Sequence, residues 1–268
     1  MMTDQNNPPI ITRKNHFSPS VFTPENLLRE ARRQKSIPEG TVPKVCILDP
    51  DGDIVQNLVA TGRAQPNPYW ACYHTRMYDF TYKGIEFGIV GNAVGASFAV
   101  LVTEEMFVCG CELLISMTSA GQIVTKGRPP YFVLIEKALR DEGTSYHYLP
   151  PSHFSTINSK LMECLKSVFE KSQPPVFVGA TWTTDAPFRE TETEIAYCRS
   201  EGILGVEMEA SALYALAEAK GHPLICFAHI TNQMGNVEND FEKGEAQGSL
   251  DAIDVISQAA EAWLFCTD

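Results

Sequence analysis

Apolar and polar residues alternate along this chain in blocks whose period switches repeatedly between that of a strand and that of a helix. The run Thr23-Pro24-Glu25-Asn26 opens a helix, with Thr23 as N-cap and Pro24 at the first helical position. Leu27, Leu28 and Ala31 share one face of it; Arg29, Arg32 and Arg33 line the other, as a solvated face or a subunit contact would. Short apolar runs predict strands over residues 45–48 and 85–90, with a longer aromatic-rich one over 69–80. Asp49-Pro50-Asp51-Gly52-Asp53 reads as the loop after the first of these.

The spacing then predicts a helix over 98–110 and a strand over 113–117 closed by Thr118-Ser119-Ala120-Gly121, which makes a parallel crossover unit. Further strands are expected at 131–135, 144–149, 176–180, 203–206 and 223–230. Helices are expected at 159–171, at 191–200, from Ala210 onward, and along Ile253, Ile256, Ala260 and Leu264. Residues 1–20, rich in Asn, Pro and Ser, read as a flexible arm, and 21–268 as one domain. The alternation argues a single α/β domain with a mostly parallel core sheet flanked by helices.

Composition narrows the function classes. A net charge of -12 lacks the basic patches that nucleic acid or a membrane surface requires. No apolar run reaches the ~18 residues of a membrane helix, and the N-terminus carries no secretory h-region. The eight cysteines lie in apolar surroundings, which suggests small hydrophobes in a reduced, cytoplasmic protein. Cys109-Gly110-Cys111 lacks a second ligand pair, so neither a metal nor another cofactor is expected.

Polar residues gather where strands end. Gly91-Asn92-Ala93-Val94-Gly95-Ala96-Ser97 lies between a strand and a helix; its glycines suit an approaching anion or tight packing equally. Thr183-Thr184-Asp185-Ala186-Pro187-Phe188-Arg189 could recognise a flat heterocycle through Phe188 and Arg189, or be a helix start with an Asp185–Arg189 ion pair. His229-Ile230-Thr231-Asn232-Gln233 ends another strand. In Gly205-Val206-Glu207-Met208-Glu209-Ala210-Ser211, two carboxylates flank a thioether at a strand-to-helix junction. Such acids are either N-terminal helix charges or partners for a pair of sugar hydroxyls. In an open α/β sheet ligands bind beyond the carboxyl ends of the strands, and five polar clusters there favour a site.

At Val206-Glu207-Met208-Glu209-Ala210-Ser211 the chain resembles the nucleoside phosphorylase family, which includes uridine phosphorylase, hexameric purine nucleoside phosphorylase and methylthioadenosine nucleosidase. The resemblance spans about residues 45–265, with Asp141-Glu142-Gly143-Thr144-Ser145-Tyr146-His147 inside it. The Thr183–Arg189 stretch is most similar to the uridine-phosphorylase-like branch. The resemblance implies a partly barrelled mixed sheet in a dimer or hexamer, and cleavage of a nucleoside's glycosidic bond without a cofactor. It implies Glu209 on the ribose hydroxyls, Met208 beneath the sugar and Glu207 in support. Phe188, Arg189, Thr183 and Asp185 fall on the substrate side. Asn232, where the purine enzymes carry an acid, implies a 6-oxopurine or pyrimidine.

Phosphate, the family's co-substrate, is less well provided for. The positions of its arginines fall near Gly52, Ser116 and Tyr73, the last supplied in the family by the neighbouring subunit; Gly91 and Ser119, with His74 and Arg76 standing in for that third arginine, are the residues expected to hold phosphate. The expectation is phosphorolysis to free base and ribose 1-phosphate. Hydrolysis with water is the alternative, and an inactive nucleoside-binding or storage protein a further one.

Overall fold

The computed structural model describes residues 8–170, 172–234, 238 and 240–267. A short helix α1 (Pro9–Thr12) precedes α2 (Pro24–Lys35), β1 (Val45–Asp49), α3 (Asp53–Ala60), β2 (Gln65–Pro66), β3 (Met77–Tyr82), β4 (Ile85–Gly91) and α4 (Ala96–Val108). Then follow β5 (Leu113–Gln122), β6 (Tyr131–Asp141), β7 (Phe154–Thr156), α5 (Ser159–Leu165), β8 (Val176–Thr184) and α6 (Glu192–Ser200). The chain finishes with β9 (Gly205–Glu207), α7 (Ala210–Lys220), β10 (Leu224–Asn232) and α8 (Ser249–Thr267).

These strands form one mixed sheet in the order β10-β6-β8-β9-β5-β1-β4-β3-β2, with β7 beside β6. Because β10 also pairs with β5, the strands β5, β10, β6, β8 and β9 close on themselves, and the remainder of the sheet extends as an open wing from β5. The domain is therefore α/β with a partly barrelled mixed sheet, as expected. Its pairings are divided evenly rather than mostly parallel: β1–β4, β1–β5, β5–β10, β6–β8 and β8–β9 are parallel, the other five antiparallel. The crossover β4–α4–β5 places β1 between its two strands, and all three run the same way.

The closed part explains the long apolar strands. β5 and β10 are packed on both faces and are buried almost throughout, so they need no polar alternation. Polar residues at their ends, Thr118-Ser119 and Thr231-Asn232, read as loop and hid their length. Residues 118–121 continue β5 instead of closing it, and β10 runs on to Asn232. The end of β5 turns onto β9 through the pairs Gly121–Val206 and Gln122–Gly205. Bare glycines permit this approach, since a Cβ on Gly205 would stand 2.9 Å from the Gly121 carbonyl oxygen.

Three expected elements differ. Residues 144–149 are a 3-10 turn, Ser145–His147, rather than a strand. The buried Glu142 carboxylate accepts from Ser145 N at 2.9 Å and bends the chain there. Over 69–80 only Met77 onward is strand; before it, Asn67 Oδ1 accepts from Tyr69 N, and Trp70 Nε1 donates to Thr75 Oγ1. Helix α5 stops at Leu165, short of the expected 171, and Lys171 lies outside the described residues. Helix α3 was not foreseen, because its N-cap is Gly52 at φ 82°, which offers no capping side chain.

The basic face of α2 is also only half solvated. Arg29 and Arg33 pair with Glu30, whereas Arg32 turns inward to the Tyr69 carbonyl and Cys109 Sγ. Six cysteines are free and buried, as expected of small hydrophobes; Cys164 and Cys266 are instead joined as a disulfide that ties α5 to α8. Among the described residues no helix is long and apolar enough to cross a membrane.

Candidate functional site

The strand-to-helix junction β9–α7 carries the site. Glu207 ends β9, Glu209 caps α7, and half-buried Met208 lies between two buried carboxylates. The two acids are solvated by the protein very differently. Glu207 Oε2 accepts from the Glu209 and Ala210 amides, each at 2.7 Å; Oε1 accepts from Thr181 Oγ1 and Thr183 Oγ1. A carboxylate offers about four acceptor positions, and at Glu207 all four are filled from within.

Glu207 therefore keeps no acceptor position for a ligand. Thr183 moves with it: its hydroxyl donates to Glu207 and accepts from Ser211 N at 2.9 Å. Ser211 Oγ in turn donates to Glu142 at 2.9 Å. The chain Glu142–Ser211–Thr183–Glu207 locks the start of α7 onto β8, and Glu142 is a member that spacing alone did not single out.

Glu209 is only 1% exposed, yet among the described residues it accepts just two hydrogen bonds: from Gly95 N at 2.7 Å on Oε1, and from Thr118 Oγ1 at 2.9 Å on Oε2. One acceptor position per oxygen stays open, a match for two neighbouring hydroxyls. Burial, with Glu207 close by, pushes its carboxyl up to about 8. An environment that strains a carboxylate in this way is characteristic of functional sites. Gly95 supplies its N–H because the residue sits at φ 90°, a conformation that favours glycine, just before α4.

A second polar cluster lies one residue from Thr118. Half-buried Ser119 donates from N to Asp51 Oδ2 at 2.7 Å and from Oγ to Asp51 Oδ1 at 2.8 Å. Asp49, Asp51, Asp53, Thr118, Ser119 and His229 contribute to the lining of a cavity of about 20 Å³ here, with Lys243 at its edge bonded to Asp53. Asp49 caps the following turn through Gly52 N and Val55 N, and burial pushes it up to about 7. His229 stacks on Phe132 with ring centroids 4.5 Å apart, and burial lowers it to about 4, so it is neutral.

Of the other expected phosphate ligands, Gly91 pairs with Asp49, which lines the same cavity as Ser119. Gly91 ends β4 tightly against α3, where an added Cβ would stand 3.2 Å from the Gly52 Cα. His74 and Arg76 are exposed and line a separate cleft with Lys35, Trp70 and Tyr73. Ser116 is buried, and its hydroxyl has no hydrogen-bond partner among the described residues.

On the base side, Asn232 ends β10 beside Gly121, donating to Thr231 Oγ1 and accepting from Met234 N. Phe188 and Arg189 sit on an exposed 3-10 turn, Pro187–Arg189, where the Phe188 ring is 99% exposed. Asp185 accepts from Gly143 N at 2.8 Å, and no Asp185–Arg189 ion pair forms among the described residues. The structure thus unites Glu209, Glu207, Met208, Thr183 and Ser119, with Asn232 nearby across Gly121 and Val206. Phe188, Arg189, His74 and Arg76 are left at the surface.

Comparison with known proteins bears on the family and the fold. The model of the Phosphorylase superfamily matches residues 44–261. A guanosine phosphorylase of Halorubrum lacusprofundi is 23% identical over 182 residues, covering 68% of this chain and 70% of the relative. A purine nucleoside phosphorylase of Bacillus velezensis is 28% identical over 174 residues, covering 61% and 72%. A uridine phosphorylase of Thermococcus kodakarensis is 23% identical over 200 residues, covering 69% and 72%. The crystal structure of uridine phosphorylase from Vibrio fischeri superposes with a TM-score of 0.68 at 21% identity, covering 85% of this chain and 93% of that one. With four-fifths of its length matched by the family model and the same fold around the Glu207–Glu209 junction, the chain belongs to the Phosphorylase superfamily.

Proposed function

We propose that this chain cleaves the N-glycosidic bond of a nucleoside, with Glu209 holding the ribose hydroxyls. One observation carries the reading: of two adjacent buried carboxylates, Glu207 is saturated by four protein donors while Glu209 keeps one acceptor position open on each oxygen. Departure of the base leaves cationic character on the sugar. A carboxylate that binds the hydroxyls in its ionised form therefore stabilises the transition state more than the ground state. Met208 forms the floor under the sugar. Asn232 keeps one N–H free beyond its bond to Thr231, which suits the carbonyl oxygen of a 6-oxopurine or pyrimidine.

The family's acceptor is inorganic phosphate, and phosphorolysis would release free base and ribose 1-phosphate. The acceptor side of this chain also supports a second reading, in which water replaces phosphate: Asp51 already occupies both donors of Ser119, and the cavity beside it is only about 20 Å³.

The experiment is to incubate a panel of purine and pyrimidine nucleosides with and without phosphate and to assay free base and sugar 1-phosphate. Base release should occur for at least one nucleoside, and Glu209→Ala should reduce kcat by roughly 100-fold or more, about 3 kcal/mol, as for other preorganised groups at a developing charge. Circular dichroism of the variant should match the wild type. Activity unchanged in Glu209→Ala would show that the sugar lies elsewhere.

A further inference from the structure

Ser119 presents its N–H and its hydroxyl to one point, a two-pronged donor fork of the kind that grips an oxyanion. The oxyanion seated in it belongs to the chain: Asp51 meets the fork with both carboxylate oxygens, at 2.7 and 2.8 Å. The fork adjoins the ribose clamp, because Thr118, the residue before it, holds Glu209 at 2.9 Å. The Asp51 charge is also among the influences that raise the Glu209 carboxyl.

A free oxyanion arriving here meets three obstacles. The donors it needs are engaged. The charge around it is that of Asp51 and Asp53, and the nearby cation, Lys243, is bonded to Asp53. The remaining space, about 20 Å³, leaves room for roughly one water beside the seated Asp51.

We propose that Asp51 is the residue that sets acceptor specificity: its carboxylate occupies the seat on Ser119 that an incoming phosphate would take, and keeps phosphate out until it leaves. The link to catalysis rests on the reading of Glu209 as the ribose clamp; the competition for Ser119 stands without it. Nothing else in the loop requires the contact, since Asp49 already caps the turn at Gly52 and Val55.

Two variants of the full chain test this. Asp51→Ala empties the fork, and Asp51→Asn keeps its shape while removing the charge, so it serves if the alanine variant is poorly folded. Inorganic phosphate binding is measured by calorimetry, and base release is followed across a phosphate titration. Phosphate should bind each variant at least tenfold more tightly than it binds the wild type. Half-saturation of base release by phosphate should fall by the same factor, or appear where the wild type shows no response. Wild-type phosphate affinity and response in both variants would overturn the proposal, as would loss of all cleavage with no gain in phosphate binding. If the variants gain phosphate binding while neither they nor the wild type cleaves any nucleoside, the Asp51 assignment stands and the glycosidic-cleavage reading fails.

Discussion

Glu207 and Glu209 are two residues apart and almost equally buried, and their difference lies in the partners they are given. Glu207 borrows two strand hydroxyls and two amides at the start of α7. Glu209 reaches across to another helix terminus and another strand. Its half-satisfied state has a pH signature. The folded carboxyl titrates at about 8 against an ordinary 4.5. Between those values the folded protein therefore binds the proton that the unfolded chain has released. Stability should be greatest below about 4.5 as far as this group is concerned, and should decline as pH rises toward 8. Melting temperatures measured from pH 5 to 8 should show the decline, and Glu209→Gln, which cannot ionise, should flatten it. The part of the slope that persists should come from Asp49 and Glu190, each pushed up to about 7, and from Glu207, which burial also raises. An equal slope in wild type and variant would mean that Glu209 is ionised in the folded protein.

At the scale of elements, the site is made by termini rather than by any one segment. The β4–α4 turn supplies the Gly95 amide, β5 supplies Thr118 and Ser119, and the β1–α3 loop supplies Asp51. Gly95 shows how much depends on backbone shape. A Cβ there meets nothing within 4 Å, so space is no obstacle; the φ of 90° is. Gly95→Ala should destabilise the protein by about 1 kcal/mol or more, and by moving the amide from Glu209 should lower kcat/KM as well. Denaturant unfolding together with kinetics would check both effects; a stability loss with no kinetic change would show that the amide contact is dispensable. The same turn shows what could be read beforehand. Glycines between a strand and a helix were visible, but which of them meets a carboxylate was not, because the partner lies 114 residues away.

For the whole molecule, closure of β5, β10, β6, β8 and β9 brings together strands drawn from residues 113–232, and α8 packs across the sheet from α5 to α3. The Cys164–Cys266 disulfide spans 102 residues and fastens that last helix to α5. Cross-linking so long a loop contributes about 2–4 kcal/mol, chiefly by restricting the unfolded chain. Cys164→Ser, or addition of reductant to the wild type, should lower the melting temperature to a similar extent. Neither should alter nucleoside cleavage, because the bridge joins helices outside the set of residues around Glu209. Reductant without effect on melting would show that the bridge adds nothing to stability.

The hydrophobic pattern by itself determined the class of fold, most of the strands and the long helices, because buried strands and amphipathic helices leave their periods in the chain. It also determined the Glu207–Met208–Glu209 junction, a local cluster whose polar residues stand out against an apolar run. Sheet closure, the 3-10 turn at Ser145 and the length of β5 were decided only in three dimensions, since each depends on contacts between segments far apart in sequence. The division of labour between the two glutamates belongs to the same category, as does the seating of Asp51 on Ser119. Both are matters of which donors reach which oxygen, and a carboxylate's partners are assigned by the packing of distant strands rather than by its neighbours in the chain.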